Sequence, residues 1–512
     1  MSGIGQATLG TRWREAVGEV ADRHFLVWED AAGRVTAWTY REFDELVVRV
    51  AGDLARREVG KGRPVHLAVA NSPVFVAVWL AAIRLGAAIV PSDPRGSTRE
   101  YEDAIRRTKP ALGICARDRA ATYEPAASGG PTVVEVDEDD TDLSDFSGSS
   151  TLDHVEPAGS DVAAVMFTSG TTSAPKGVVV THANYAFAGD VMASAATLSW
   201  FDRQLVVLPL FHANAQYYSF ASAISSGASV ALMSSFSASA FVHQAARHGA
   251  THASLFAAPL RMILARGAEP VDGLALRHVW YAQNVTSDQY EVLAALFGCR
   301  PRQLYGMTET IPAVLTNRAL GAVPHAMGIP TLGCTVDLRS PDGDDPVPVD
   351  EVGEVVVGGS RGSTLFAGYL DAPETTEGAF RNGWFRTGDL ASRDDTGRYY
   401  FAGRRSDVLK VAGENVSTVE VEAVLSEHPA LLEAAVVGVP DPVRDEVPVA
   451  HVVLAPGAPP VSTEELADYC AARLAPAKRP REFFFVDELP RTSVGKIRKF
   501  LLKASPPTSR HS

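Results

Sequence analysis

Between Val65 and Val90 the sequence leaves the chain little choice of architecture. Val65 to Ala70 is a short apolar run that reads as a buried strand. Ser72-Pro73 follows, a helix-start signal with proline at the first helical position, where its missing N–H costs nothing. The helix is predicted to run to about Leu85 and to stop at Gly86. Ala87 to Val90 is a second apolar run. A strand, a helix and a strand in that order imply a parallel βαβ unit. Upstream, Thr39 and Glu42 form a T-x-x-E capping box. Behind it Phe43, Leu46, Val47, Val50, Ala51 and Leu54 repeat at helical spacing.

The α/β pattern is expected to continue from 162 to 400, after an Asp/Ser/Thr/Gly-rich surface connection from Asp137 to Asp161. From Phe401 the character changes, and a small α+β domain is predicted. Ser417 to Glu420 would cap a helix, Ala434–Val439 and Pro448–Leu454 would be strands, and Thr463–Leu474 a second helix. The chain of 512 residues is long enough for about three domains of ~150 residues. Its net charge of -14 argues against nucleic acid or an anionic membrane as a partner, because both repel it. Four cysteines without CxxC spacing argue against a zinc site or a disulfide framework. The first residues lack an apolar run behind basic ones, and no stretch has the ~18 apolar residues of a membrane span. A cytoplasmic enzyme is expected.

The strongest local signal is TSGTTSAPKG, Thr168 to Gly177, behind the apolar strand Val162–Phe167. Gly170 and Gly177 permit close backbone approach, and successive N–H groups in such a bend make an anion-binding nest. The hydroxyls of Thr168, Ser169, Thr171 and Thr172 can donate to phosphate oxygens, and Lys176 adds positive charge. A plain polar turn is the competing reading. A Walker-type loop is disfavoured, since Pro175 precedes the lysine and Val178–Val180 reads as a strand where that loop opens a helix.

TSGTTSAPKG resembles the phosphate loop of the adenylate-forming superfamily, and four further segments resemble that family's motifs in order. These are YGMTET (Tyr305–Thr310), GWFRTGDL (Gly383–Leu390), GRRSDVLKVAGENVSTVEVE (Gly403–Glu422) and PRTSVGKIRK (Pro490–Lys499). LPLFHANAQ (Leu208–Gln216) and PDPVRDEVPVAHVVL (Pro440–Leu454) resemble acyl-CoA synthetases of the carnitine/crotonobetaine type.

The resemblance implies a large N-terminal adenylation domain, 1–403, of stacked α/β subdomains with a β-barrel-like part. A small mobile α+β domain, 404–505, and a disordered tail, 506–512, would follow. It implies ATP, Mg²⁺ and coenzyme A as cofactors and a carboxylic acid as substrate. Tyr305 would pack on adenine. Gln283, Asn284, Gln303, Gly306, Met307 and Thr308 would complete the nucleotide site, and Glu309 would hold Mg²⁺. Asp389 would accept the ribose hydroxyls beside Arg404. Lys496 would be the catalytic lysine of adenylation. Lys410, Gly413 and Glu414 would serve the second half-reaction, with the hinge at Ser406. His212, Asn214, Gln216, Tyr217, Asn284 and Ile311 would line the acyl pocket, with Thr168 and His212 also in catalytic roles.

Two departures stand out. Gln283 and Asn284 replace the small residues common before the tyrosine motif, and Ser406 replaces the usual charged hinge residue. The acceptor stays open between coenzyme A and a separate carrier protein or an amine. A non-catalytic nucleotide-binding protein is the remaining alternative. The sequence fixes neither the acid, which could be short and polar, aryl or polycyclic, nor the oligomeric state, of which a homodimer is one option.

Overall fold

The computed structural model describes residues 7–148, 156–168, 175–318, 321–411, 414–442, 444–491 and 497–503. The expected tail therefore lies outside the described residues. The chain forms two compact units, one of Met1–Val336 with Val357–Phe385, the other of Asp337–Val356 with Arg386–Ser512. They divide the chain elsewhere than the linear boundary expected after 403. The strand that spans that point, Tyr399–Arg404, pairs with Trp384–Arg393, Asp389 opposite Arg404.

In the first unit the βαβ expectation holds. Val65–Ala68 and Ile89–Pro91 pair in parallel, Val65 opposite Ile89. The crossover helix Pro73–Arg84 is buried from Pro73 to Ile83. An all-apolar helix can be covered on every side. Ser72 Oγ accepts from Phe75 N, and Gly86 takes the left-handed conformation (φ 65°) that ends the helix. Thr39 and Glu42 make both bonds of the capping box at the head of the helix Tyr40–Arg56.

Seven strands build one sheet, in the spatial order Gly368–Tyr369, Lys176–Thr181, Val162–Thr168, Ile89–Pro91, Val65–Ala68, Leu112–Ala116, Thr132–Val136. A second sheet runs Val35–Thr39, His24–Glu29, Ser229–Met233, Arg203–Val206, His252–Phe256, His278–Ala282, Arg302–Tyr305 and on through Leu315–Thr316 to Ala326–Pro330.

Two expectations for the first unit need correction. The stretch from 137 to 148 has no helix or strand, yet it is not merely a surface connection. Leu143 and Phe146 are buried, and Asp140 turns the chain by accepting from Ser144 N at 2.6 Å. The helical alternation also ends well before 400. Beyond Phe297 the described part of this unit has strands and the short helix Pro373–Gly378, besides one 3-10 turn at Thr308–Thr310.

In the second unit, residues 389–393 pair antiparallel with the strand Tyr399–Arg404. The small α+β domain follows. Leu431–Asp441 and Asp445–Leu454 pair antiparallel, and Glu482–Phe485 joins the latter in parallel. The helices Thr418–Ser426 and Thr463–Ala471 contribute Val421, Leu425, Leu466 and Cys470 to a core shared with Val436 and Val452. Ser417 occupies the N-cap position but does not cap with its side chain; its hydroxyl donates to Ala402 O at 3.2 Å. No helix among the described residues is long and apolar enough to cross a membrane.

Candidate active site

The phosphate loop springs from an antiparallel hairpin. Val162–Thr168 leads into it and Lys176–Thr181 leads out, with Thr168 opposite Lys176. Ser169, Gly170, Thr171 and Thr172 lie outside the described residues, so the geometry begins at the loop's two feet. Arg107 fixes both. Its guanidinium lies 4.8 Å over the Phe167 ring, and its Nη1 donates to Pro175 O at 2.7 Å.

Beside the hairpin's outgoing strand runs Gly368–Tyr369, with Tyr369 opposite Val178. Side chains two residues apart share a strand face, so Lys176 is the diagonal neighbour of Tyr369. Its ammonium nitrogen sits 4.8 Å from the centre of that ring. The Tyr369 hydroxyl donates to Glu309 Oε1 at 3.0 Å, and Phe366 N donates to the Glu309 carbonyl at 3.0 Å. Burial first, and then the Glu309 charge, push the Tyr369 phenol above its ordinary range. Glu309 is 5% exposed. Its oxygens are the donor type that a hard divalent cation takes, so the residue fits Mg²⁺.

Glu309 stands on the 3-10 turn Thr308–Thr310, closed by Met307 N donating to Thr310 Oγ1 at 3.0 Å. Ile311 follows with φ 71° and full burial. A β-branched residue in that region is strained, and such strain is concentrated at functional sites. Gly306 allows the turn to pack closely. A Cβ there would meet Tyr218 Oη at 2.8 Å and Pro312 O at 2.9 Å. On the neighbouring strand Gln303 is buried, and its Nε2 donates to Asn284 Oδ1 at 2.7 Å. Gln283 and Asn284 are exposed, and Gln283 has φ 72°.

The segment after Leu210 is unusual. Asn214–Ala221 is a π-helical run, a rare form that is frequent at functional sites. His212 is half-buried just before it, its ring 4.3 Å from that of Phe211. Gln216 is fully buried and spent on the fold: Nε2 donates to Leu210 O at 2.6 Å, and Oε1 accepts from the Tyr185 hydroxyl. Tyr217 Oη donates to Met166 Sδ. Asn214 differs from both: it is 6% exposed, and neither its Oδ1 nor its Nδ2 has a protein partner.

In the second unit, Asp389 is buried and paired with Arg404 Nε at 2.9 Å. Glu354, also buried, organises this region. Its carboxylate accepts from Gly388 N at 3.0 Å, from Arg386 Nε at 3.0 Å and from Arg405 Nη1 at 3.2 Å. Lys410 and Glu414 lie on the paired strands Val408–Val411 and Glu414–Ser417. Gly413 and Lys496 lie outside the described residues, as do the side chains of Ser406, Lys410 and Glu414.

Residues 13–370 match the model of the AMP-binding enzyme family, and residues 420–496 match that of the AMP-binding enzyme C-terminal domain. The chain belongs to the AMP-binding enzyme family. Crotonobetaine/carnitine–CoA ligase of Salmonella choleraesuis (strain SC-B67) is 32% identical over 98% of this chain and 99% of its own. Among solved structures, ATP-bound MatB from Rhodopseudomonas palustris superposes with a TM-score of 0.88, at 25% identity, covering 97% of this chain and 98% of that one. The o-succinylbenzoate CoA synthetase of Bacillus subtilis, bound to its acyl-adenylate, gives a TM-score of 0.85 at 28% identity, covering 97% and 98%. Within the AMP-binding enzyme family the chain stands with the acyl-CoA ligases.

Three residues around these AMP-binding motifs escaped the sequence reading: Arg107, Tyr369 and Glu354. Each lies far along the chain from at least one group it holds. None of the three lies in a motif singled out in the sequence. The Gly-Tyr pair beside a helix-opening proline was the one local sign at Tyr369.

Proposed function

We propose that the protein joins a carboxylic acid to coenzyme A through an acyl-adenylate, releasing pyrophosphate in the first step and AMP in the second. The observation that carries this reading is the single aromatic ring of Tyr369, which has the phosphate-loop lysine on its face and the buried Glu309 carboxylate at its hydroxyl. Two anions must meet in adenylation, so the catalyst has to supply positive charge and alignment. Lys176 and the hydroxyl loop Thr168–Thr172 hold the outer phosphates. Glu309 would hold Mg²⁺, which would supply positive charge against the triphosphate. Tyr305 and the Gln303–Asn284 pair face adenine, with Gln283, Gly306, Met307 and Thr308 shaping its slot. Asp389 and Arg404 hold the ribose.

The acid's carboxylate attacks the α-phosphorus while Lys496 bridges the two. The small domain then turns about Ser406, and Lys410, Gly413 and Glu414 serve attack by the coenzyme A thiol. His212 stands at the acyl pocket, which His212, Asn214 and Ile311 border. The unpartnered amide of Asn214 supports an acid that carries its own hydrogen-bonding group. The free thiols of Cys115, Cys299, Cys334 and Cys470 fit a reducing cytoplasm.

The test is incubation of ATP, Mg²⁺ and coenzyme A with a panel of acids, read by thioester mass and by ATP–pyrophosphate exchange. Thioester and acid-dependent exchange are expected with the same acid. Exchange without thioester would instead support a carrier protein or an amine as acceptor, and absence of both across the panel would overturn the proposal.

A further inference from the structure

We propose that Tyr369 is a positioning residue for metal-dependent ATP binding: its hydroxyl fixes one oxygen of Glu309, its face seats Lys176, and the two charges are thereby held in register for a metal-bound triphosphate. This rests on the reading of Glu309 and Lys176 given above.

The clamp on Glu309 has two points. Phe366 N holds the main-chain carbonyl, and the Tyr369 hydroxyl holds the side chain. The segment that provides both is itself fixed to the phosphate hairpin. Ala367 N donates to Val179 O at 2.9 Å, and Leu370 N donates to Gly177 O at 2.8 Å. Tyr369 N donates to Thr376 Oγ1 at 2.8 Å, and the Phe366 ring meets the Tyr369 ring edge-on at 4.9 Å. The phenol thus has little freedom of its own.

A buried carboxylate and an ammonium group serving one triphosphate would attract each other when the nucleotide is absent. Tyr369 offers each a neutral partner in its place, a hydroxyl donor for the carboxylate and a π face for the cation. With one Glu309 oxygen bonded to the phenol, the carboxylate's orientation is set before the metal arrives. Groups that orient a ligand in this way typically change metal affinity by about 10- to 100-fold when removed.

The experiment is calorimetry of ATP binding with Mg²⁺ and with EDTA, on the wild type and on Tyr369→Phe, Glu309→Gln and the double variant. The wild type should bind ATP more tightly with Mg²⁺. Tyr369→Phe should lose about tenfold of that gain while binding in EDTA changes less than about twofold. The double variant should be no worse than Glu309→Gln, since the hydroxyl acts through the carboxylate. A gain retained in Tyr369→Phe, equal loss with and without metal, or losses that multiply in the double variant would each overturn the proposal. If the wild type itself gains nothing from Mg²⁺, the reading of Glu309 fails first. A Tyr369→Leu variant, which also removes the ring, should weaken ATP in EDTA as well, because Lys176 loses its seat.

Discussion

Asn214, which we propose borders the acyl pocket, makes the most specific prediction about the acid. A buried amide with no protein partner on either polar atom is costly, by about 1–3 kcal/mol for each unsatisfied group. A site that keeps such a group uses it when the substrate arrives, or leaves it to water. Leucine has nearly the same shape and none of the desolvation cost. Asn214→Leu should therefore raise the melting temperature while raising KM for the preferred acid by about tenfold or more. An apolar analogue of that acid should lose nothing. Thermal denaturation and steady-state kinetics on the matched pair of acids measure both effects. A variant with unchanged preference between the two would remove Asn214 from recognition.

At the scale of elements, much was legible because local signals and tertiary demands agreed. The helix behind Thr39 carries its cap and its apolar spacing, and the helix behind Ser72 its start signal and its stop at Gly86. The hairpin around the phosphate loop was legible for the same reason, as two apolar runs flanking a glycine-rich turn. What the sequence hid is set by long-range pairing. Tyr369 meets Glu309 across sixty residues because a two-residue strand adds to the phosphate hairpin, and two residues carry no periodicity. The π-helical run at Asn214–Ala221 has the composition of an ordinary buried helix. Nor could spacing reveal that Ser417 turns its hydroxyl toward Ala402. Gly306 shows how a turn depends on such packing. A methyl group there meets the Pro312 carbonyl and the Tyr218 hydroxyl inside 3.0 Å, and the carbonyl cannot rotate away as a side chain would. Gly306→Ala should cost about 1–3 kcal/mol and displace the Tyr305–Thr310 turn. ATP affinity should fall by about tenfold or more, since small displacements of positioning groups are amplified in binding. Calorimetry on the folded variant checks it, and normal ATP affinity would mean that the turn tolerates the shift.

For the whole molecule, the two half-reactions and the stability of the scaffold can be separated. Lys496→Ala should cut acid-dependent pyrophosphate exchange by at least about a hundredfold, yet leave thioester formation from a supplied acyl-adenylate much less affected. Equal loss in both would contradict the division of labour. Stability has a different source of pH dependence, in histidines buried as neutral rings. His182 is fully buried with neither ring nitrogen partnered, and burial pushes its pKa from 6.5 down to about 4. Asp161 and Glu156 nearby oppose that shift, and Lys61 adds to it. His66, bonded to Tyr123 and Ser92, is pushed down to about 3 by burial. In both cases the unfolded chain binds the proton more readily than the folded one. Their contribution is therefore intact above pH 6.5 and is lost as pH falls towards the folded values. For His182 alone the loss between pH 7.5 and 5 should be about 2 kcal/mol. Urea unfolding of the wild type and of His182→Leu at those two pH values tests it. The variant should lose less stability than the wild type by about that amount, since leucine binds no proton in either state. An identical fall in both proteins would place the acid sensitivity elsewhere.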